Sequence, residues 1–391
     1  MNYSNTIFNQ LLNFLPKHKF RQFVAEHETD KHIRTLTTWN QFVALLYAQA
    51  TGKDSLREVE TGLSVQNNAW YHLGINTVAR SSLADANSKR DYRVFEKLFY
   101  SLLERCKEIT PQREFKFTNP LYSFDSTTIN LCLSMFDWAK YRTTKGALKL
   151  HMLLNNRTAI PELVNITEGK VADITMFKKT ELKSLEKGSI LVFDRGYIDL
   201  KWWNDIEQAG LFFVSRAKIN QNIFVTGQHE KRILEKGVLA DDTIIFGDYN
   251  AMFKKYPGKL RQVKYWDEEN QKELIFLTNN FTLTAAQIAE VYRDRWQIEL
   301  FFKWIKQNLK IKTFLGTSKN AVMTQIWIAM IYYLLLAYIK FQTKFKKSLL
   351  ELTRMIRETL LFRRDLIDLL SLGEKTVFRL KREESPQLSF W

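Results

Sequence analysis

The sequence predicts a mixed α/β fold: a helical N-terminal region, a central sheet carrying a β-rich insertion, and a basic helical tail. Three observations predict it. Apolar residues recur at helical spacing through the first 115 residues. Strand-like runs then follow in the order β-β-β-α-β-α-β up to residue 215, and hairpin-linked strands followed by βα pairs make a mixed sheet. Short strands split by polar turns fill about 217–280, after which helical spacing returns. Glycine (14) and proline (6) together make only about 5% of 391 residues, against an average near 12%, so regular elements dominate over linkers.

Taken in order, the first clear helix covers 38–50, with Phe42, Leu45, Leu46 and Gln49 at helical spacing and Gly52 as its stop. Ser55 and Glu58 make an S-x-x-E capping box for a short second helix. A third is expected near 78–89, and a longer one from Tyr92 through Phe95, Phe99, Leu102, Leu103 and Cys106. Such short helices suit a helix-turn-helix or a plain bundle, and no recognition helix stands out. Strands are expected over 121–128, 147–155, 160–167, 190–194 and 211–215, with a turn at Asn156–Arg157. Helices are expected from Asp173 to Glu186 and over 199–209, the latter stopped by Gly210. The insertion strands fall at 223–226, 243–246, 263–266 and 274–278. From Thr284 a helix runs to about Lys310, an uncharged one covers 326–339, and a basic amphipathic tail follows from Lys340.

Composition narrows the classes of function. A charge of +16 points to a polyanionic partner, most often nucleic acid. Hydrophobic content of 45% and charged content of 26% exclude a disordered chain. Cys106 and Cys132 have no metal-ligand spacing and build no disulfide scaffold, which suits a reducing compartment. Ile7, Leu11, Leu12 and Leu15 alternate with Asn and Gln, unlike a signal peptide. The uncharged run of about 14 residues at 326–339 is shorter than the roughly 20 a bilayer requires, so a buried core helix is expected and no membrane partner.

Two carboxylates stand in apolar strands, Asp125 in SFDST and Asp194 in VFDRGY. A charge there is costly unless paired or bound to a metal. Two such groups on neighbouring strand ends suit a hard cation such as Mg²⁺, and a third from a helix would complete a two-metal site for phosphodiester chemistry. Taken singly, either Asp reads first as a structural hydrogen bond or turn; the pair, in this strand order and on this charge, favours the metal. In VYRDRWQIELFFKWIKQNL, residues Tyr292, Arg295, Glu299 and Lys306 fall at i, i+3, i+7 and i+14. At about 100° per residue they lie within about 60° of one helix face. His151, with Lys149 two residues earlier, reads as a structural strand residue.

The spacing Y-x2-R-x3-E-x6-K resembles the signature of the IS4 family of DDE transposases, and FDSTT, FDWAKYRTTKGALKLHMLL and VFDRGY resemble that family too. The resemblance covers most of the chain and is most specific from about 120 to 310. It implies an RNase H-like catalytic core over 116–345, with the β-rich insertion at about 217–280. It also implies an N-terminal helical DNA-binding region over 1–115 and a C-terminal basic helical region over 346–391 available for dimerisation. Asp125, Asp194 and Glu299 would then be the catalytic triad holding Mg²⁺, or Mn²⁺ in its place, and Tyr292, Arg295 and Lys306 would hold DNA. Arg195, Arg216 and Lys218 flank the expected cleft as further phosphate contacts. Some members place a Trp in the insertion strand before the catalytic helix to support a flipped base in a hairpin intermediate. Here that strand has none, and Trp266 lies one hairpin arm earlier. The function implied is cut-and-paste transposition in the bacterial cytoplasm, at the nucleoid, by a homodimer on DNA that binds terminal inverted repeats and target DNA. A catalytically silent descendant that only binds DNA, and an RNase H-like nuclease without end specificity, are the rival readings.

Overall fold

The computed structural model describes residues 5–111, 113–142, 145–178, 182–218, 222–229, 236–247, 255–308 and 313–371. The chain divides into two compact units, Pro111–Ile305 and a second made of Met1–Thr110 with Lys306–Trp391.

The second unit is helical. It contains α1 (Ile7–Asn13), α2 (Lys17–Glu26), α3 (Thr38–Thr51), α4 (Leu56–Ser64), α5 (Trp70–Leu73), α6 (Arg80–Lys89) and α7 (Arg93–Ile109). Helix α3 begins where Thr37 accepts from the Asn40 amide and ends at Gly52, whose φ of +74° favours glycine. The expected capping box at α4 is displaced by one residue: Ser55 accepts from the Glu58 amide, but the Glu58 carboxylate accepts from the Asp54 amide.

The long apolar helix near the chain's end, Lys319–Gln342, packs against α3, α6 and α7. It is long and apolar enough to cross a membrane by length and composition, yet 94% of its most apolar window is buried in protein, as expected for a core helix. Because it is apolar all round it needs helical neighbours on every side. The compact unit holding the sheet ends at Ile305.

The first unit is built on one mixed sheet. Its strands are β1 (Leu121–Leu131), β2 (Lys140–Arg142), β3 (Lys145–Asn155), β4 (Ile160–Glu168), β5 (Ile190–Phe193), β6 (Phe212–Arg216), β7 (Ile223–Gln228), β8 (Val238–Phe246), β9 (Leu260–Asp267) and β10 (Lys272–Thr278). The order is β2-β3-β1-β5-β6-β10-β9-β8-β7, with β4 also paired to β3. Strands β1 and β3 are antiparallel, β1, β5 and β6 are parallel, and β10 joins β6 antiparallel, so the insertion continues the same sheet.

Helices α8 (Asp173–Phe177), α9 (Leu200–Gln208), α10 (Ala285–Asp294) and α11 (Trp296–Asn308) accompany the sheet. The expected helix from Asp173 to Glu186 is thus one short helix followed by a 3₁₀ turn at Leu182–Ser184; residues 179–181 of it lie outside the described residues. The helix expected to reach Lys310 is two helices meeting at Arg295, and 309–310 lie outside the described residues.

Each face of the central strands has its own core. On one, Phe124, Leu191, Phe193 and Phe213 pack with Trp202 and Trp203 of α9. On the other, Leu121, Ile190, Val192 and Val214 pack with Ile288 and Val291 of α10. This double coverage is why Ile190–Phe193 is apolar at every position. Trp203 is fully buried, so Trp203→Ala is expected to cost about 3–5 kcal/mol. Urea unfolding at equilibrium measures it.

Helices α12 (Lys319–Gln342), α13 (Leu349–Thr359) and α14 (Leu366–Leu370) close the described chain. The basic tail's apolar face was expected to be free for a partner. It is instead spent within the helical unit: α13 buries Leu352 and Ile356 and packs against α12 and α3. Phe362 and Ile367 remain exposed. Residues 372–391 of the tail lie outside the described residues.

Candidate active site

The parallel pairing of β1 with β5 sets Ser123 beside Val192. Carried on by two residues, that register brings Asp125, within β1, level with Asp194, just past the carboxyl end of β5, the end at which α/β sheets place their sites. Asp194 follows the last residue of β5, and its Oδ1 accepts from the Arg195 amide at 2.7 Å.

Asp125 is the constrained carboxylate. Its Oδ1 accepts from the Ser126 amide at 2.8 Å and from the Tyr197 hydroxyl at 3.3 Å. Burial pushes its carboxyl up to about 6; the Glu299 charge adds to this, while the Ser126 amide, Arg295 and Tyr197 oppose it. Tyr197 lies almost wholly within the core, and burial raises its phenol above the ordinary range, so it serves as a donor.

Ser126 also donates to Asp173 Oδ1 at 2.8 Å, and Lys149 Nζ lies 3.2 Å from that oxygen. Asp173 thus supports the strand that carries Asp125. His151 is buried, lies 2.8 Å by Nε2 from the Thr167 hydroxyl, and has its imidazole pushed down to about 4 by burial. It is neutral at physiological pH, in keeping with a structural role.

The helix face meets these strand ends from α10 and α11. Arg295 Nη2 donates to Glu299 Oε1 at 2.5 Å, and its Nη1 lies 3.7 Å from Asp125 Oδ2. The guanidinium sits 5.5 Å from the centroid of the Tyr292 ring, and the Tyr292 hydroxyl donates to Asp194 Oδ1 at 3.4 Å. Burial raises the Tyr292 phenol and Asp194 adds to it, while the positive charges of Arg295 and of Arg216, at the end of β6, oppose the rise.

Asp125, Asp194, Glu299, Tyr292 and Arg295 are therefore brought together, with Arg216 beside Tyr292. Arg195 is exposed next to Asp194, and Lys218 is exposed just past β6. Lys306 is half-buried in the last turn of α11, where the chain passes from one compact unit to the other. Tyr197, Ser126 and Asp173 were not singled out from the sequence. For Tyr197 the signal was its place three residues after Asp194 in VFDRGY.

The donor set suits a hard cation. All three carboxylates offer oxygen, and Asp125 resists carrying its charge uncompensated. Among the described residues no three His, Cys, Asp or Glu side chains are drawn into one cluster that would hold a metal. The Arg295 guanidinium stands between Asp125 and Glu299.

Comparison with known proteins meets this geometry. Residues 116–335 match the family described as the transposase DDE domain, and residues 3–76 match a domain of unknown function, DUF4372. A protein named as transposase y4zB of Sinorhizobium fredii is 33% identical over 287 residues, 73% of this chain and 78% of its own length. One named as a transposase for insertion sequence element IS5377, from Geobacillus stearothermophilus, is 29% identical over 65% of each chain. A third, named as a transposase for insertion sequence element IS4SA from Synechocystis, is 26% identical over 66% of this chain and 71% of its own. The matched family spans both aspartates, Glu299 and the helix pair that bears it, and with the first relative's cover of the chain it shows what this protein is: a member of the DDE transposases, metal-dependent enzymes of DNA cleavage and strand transfer.

Proposed function

We propose that the chain is the transposase of an IS4-type insertion sequence. It binds the terminal inverted repeats of its element and carries out Mg²⁺-dependent strand cleavage and strand transfer, moving the element by cut-and-paste. The observation that supports this most directly is the position of Arg295, paired to Glu299 and facing Asp125, over a Tyr292 that holds Asp194. Three of the four signature residues thus engage the proposed triad. The strand order β4-β3-β1-β5-β6, antiparallel and then parallel, supports an RNase H-like core.

Asp125, Asp194 and Glu299 would hold Mg²⁺, or Mn²⁺ in its place, which when bound would supply charge stabilisation to the attacking and leaving oxygens of an in-line displacement. The protein's own groups fix the frame. Tyr197 and the Ser126 amide orient Asp125, and Tyr292 orients Asp194. Arg295 and Tyr292 are the helix-face contacts to the DNA strand, the guanidinium by its positive charge. Lys306, Arg195, Arg216 and Lys218 are further phosphate contacts. The helical N-terminal region binds the element ends, and the +16 charge of the whole chain suits a DNA partner.

The test is a nicking assay with the full chain, Mg²⁺ and DNA carrying its own element's ends. Nicks confined to the element boundary are expected. Binding without nicking under Mg²⁺ or Mn²⁺ would mark a silent DNA-binding descendant, and equal nicking of unrelated DNA a general nuclease. The protein acts in the bacterial cytoplasm, at the nucleoid. It is expected to pair on DNA and to dissociate without it, with Phe362 and Ile367 as the exposed apolar residues of the tail. Mass photometry on paired ends should show two protein copies per complex, and a strictly one-to-one complex would remove the dimer.

A further inference from the structure

Between α10 and α11 the helical hydrogen-bond ladder is broken. In an unbroken helix the Ile298 amide would bond the Asp294 carbonyl four residues back. Here it bonds the Arg295 carbonyl, three back, at 3.2 Å, and the Arg295 amide bonds the Tyr292 carbonyl, also three back. This 3₁₀-type tightening turns α11 relative to α10, and it occurs at the residue whose guanidinium faces the two carboxylates. No proline or glycine lies between Thr284 and Asn308 to cause it.

The Asp294 carbonyl is not left without a partner. Asn156 Nδ2 donates to it at 2.9 Å and to the Asp294 carboxylate Oδ2 at 2.8 Å. Arg113 Nη1 takes the other carboxylate oxygen, Oδ1, at 2.7 Å. The Asn156 Oδ1 in turn accepts from the Ser123 hydroxyl at 2.8 Å. Ser123, Asn156 and Asp294 are each at most 7% exposed. Ser123 lies two residues before Asp125 and so shares its face of β1.

We propose that Asn156 and Asp294 are positioning residues for DNA cleavage. Asn156 replaces the missing helical bond, holds the helix break in place, and ties it through Ser123 to the strand that bears Asp125. This fixes where Arg295 and Glu299 stand relative to that aspartate. The inference rests on the assignment of Asp125, Arg295 and Glu299 to the cleavage site.

The test exchanges donor and acceptor. Asn156→Asp sets two carboxylates against each other, and single-turnover cleavage is expected to fall about 10–100-fold, the cost of an ångström-scale misplacement. The double variant Asn156→Asp with Asp294→Asn restores an amide–carboxylate side-chain pair with the roles reversed but not the bond to the residue-294 carbonyl, so cleavage is expected to recover in part, to about three- to tenfold below wild type. Amide hydrogen exchange should rise in 294–299 for the single variant and by less for the double, with the central strands protected in both. Ser123→Ala, which cuts only the strand end of the tie, is the milder variant if Asn156→Asp does not fold, with a loss of about three- to tenfold. Wild-type cleavage in the single variants, or a double variant no better than Asn156→Asp, overturns the proposal. Asp125→Asn separates the two levels: if it cleaves normally the site itself is misassigned, whereas if it is inactive while Asn156→Asp cleaves normally only the tie is wrong.

Discussion

Asp125→Asn is expected to abolish metal-dependent cleavage while making the metal-free protein more stable. The loss of rate should reach about a thousandfold or more, as for removal of a central catalytic group. The gain in stability follows from the same burial. The Asp125 carboxyl is raised from 3.8 to about 6 in the folded chain, and each unit corresponds to about 1.4 kcal/mol. A raised acid favours its neutral form. Its contribution therefore stabilises the fold fully below about pH 4 and is lost as pH rises through about 6. At pH 7.5 the folded protein bears the cost of an ionised, poorly hydrated carboxylate, about 1–3 kcal/mol. Asn keeps the shape and the acceptor that Tyr197 uses and carries no charge. Thermal melts without metal at pH 7.5 should thus rise by several degrees in the variant, the difference should vanish near pH 4, and affinity for element-end DNA should be retained. Wild-type cleavage by Asp125→Asn would refute the triad, and an unchanged melt at pH 7.5 would refute the electrostatic account of this site.

Much of this site was legible before any coordinates. A charge in an apolar strand is costly, so SFDST and VFDRGY marked themselves, and the 3-4-7 spacing put Tyr292, Arg295 and Glu299 on one side of a helix. The structure brings these five residues together. What the sequence could not carry is tertiary. The break at Arg295 has no proline or glycine to announce it, and the group that takes up the freed Asp294 carbonyl is Asn156, 138 residues before Asp294. At the start of α8 the Asp173 carboxylate accepts from Ser126 on β1, a partner from another element that helical spacing does not announce. The amphipathic stripe of α13 looked like an interface and is core. Periodicity reports that a face will be buried and does not report whose residues bury it.

Glu299→Gln and Arg295→Ala should separate chemistry from binding on the helix face. Arg295 now divides its positive charge between Glu299, in contact at 2.5 Å, and Asp125 at 3.7 Å. Glu299→Gln removes the nearer anion. Cleavage should fall about a thousandfold, and affinity for end DNA should hold or rise, because one negative charge has left the strand path and the guanidinium is freer for phosphate. Arg295→Ala acts in the opposite sense on binding. It removes one phosphate contact, so the slope of log affinity against log salt should fall by about one, and it leaves Asp125 and Glu299 facing each other with no cation between. Arg295 opposes the rise of the Asp125 carboxyl and Glu299 adds to it, so without Arg295 that carboxyl rises further and the pH needed for half-maximal cleavage should move upward as well. Lys306→Ala should lower the salt slope by about one without that pH shift, since Lys306 lies in the last turn of α11, seven residues beyond Glu299. Salt-dependent affinity and single-turnover pH profiles of the three variants measure these differences. If Glu299→Gln weakens DNA binding as much as Arg295→Ala does, the two residues act as one structural ion pair and the division of roles fails.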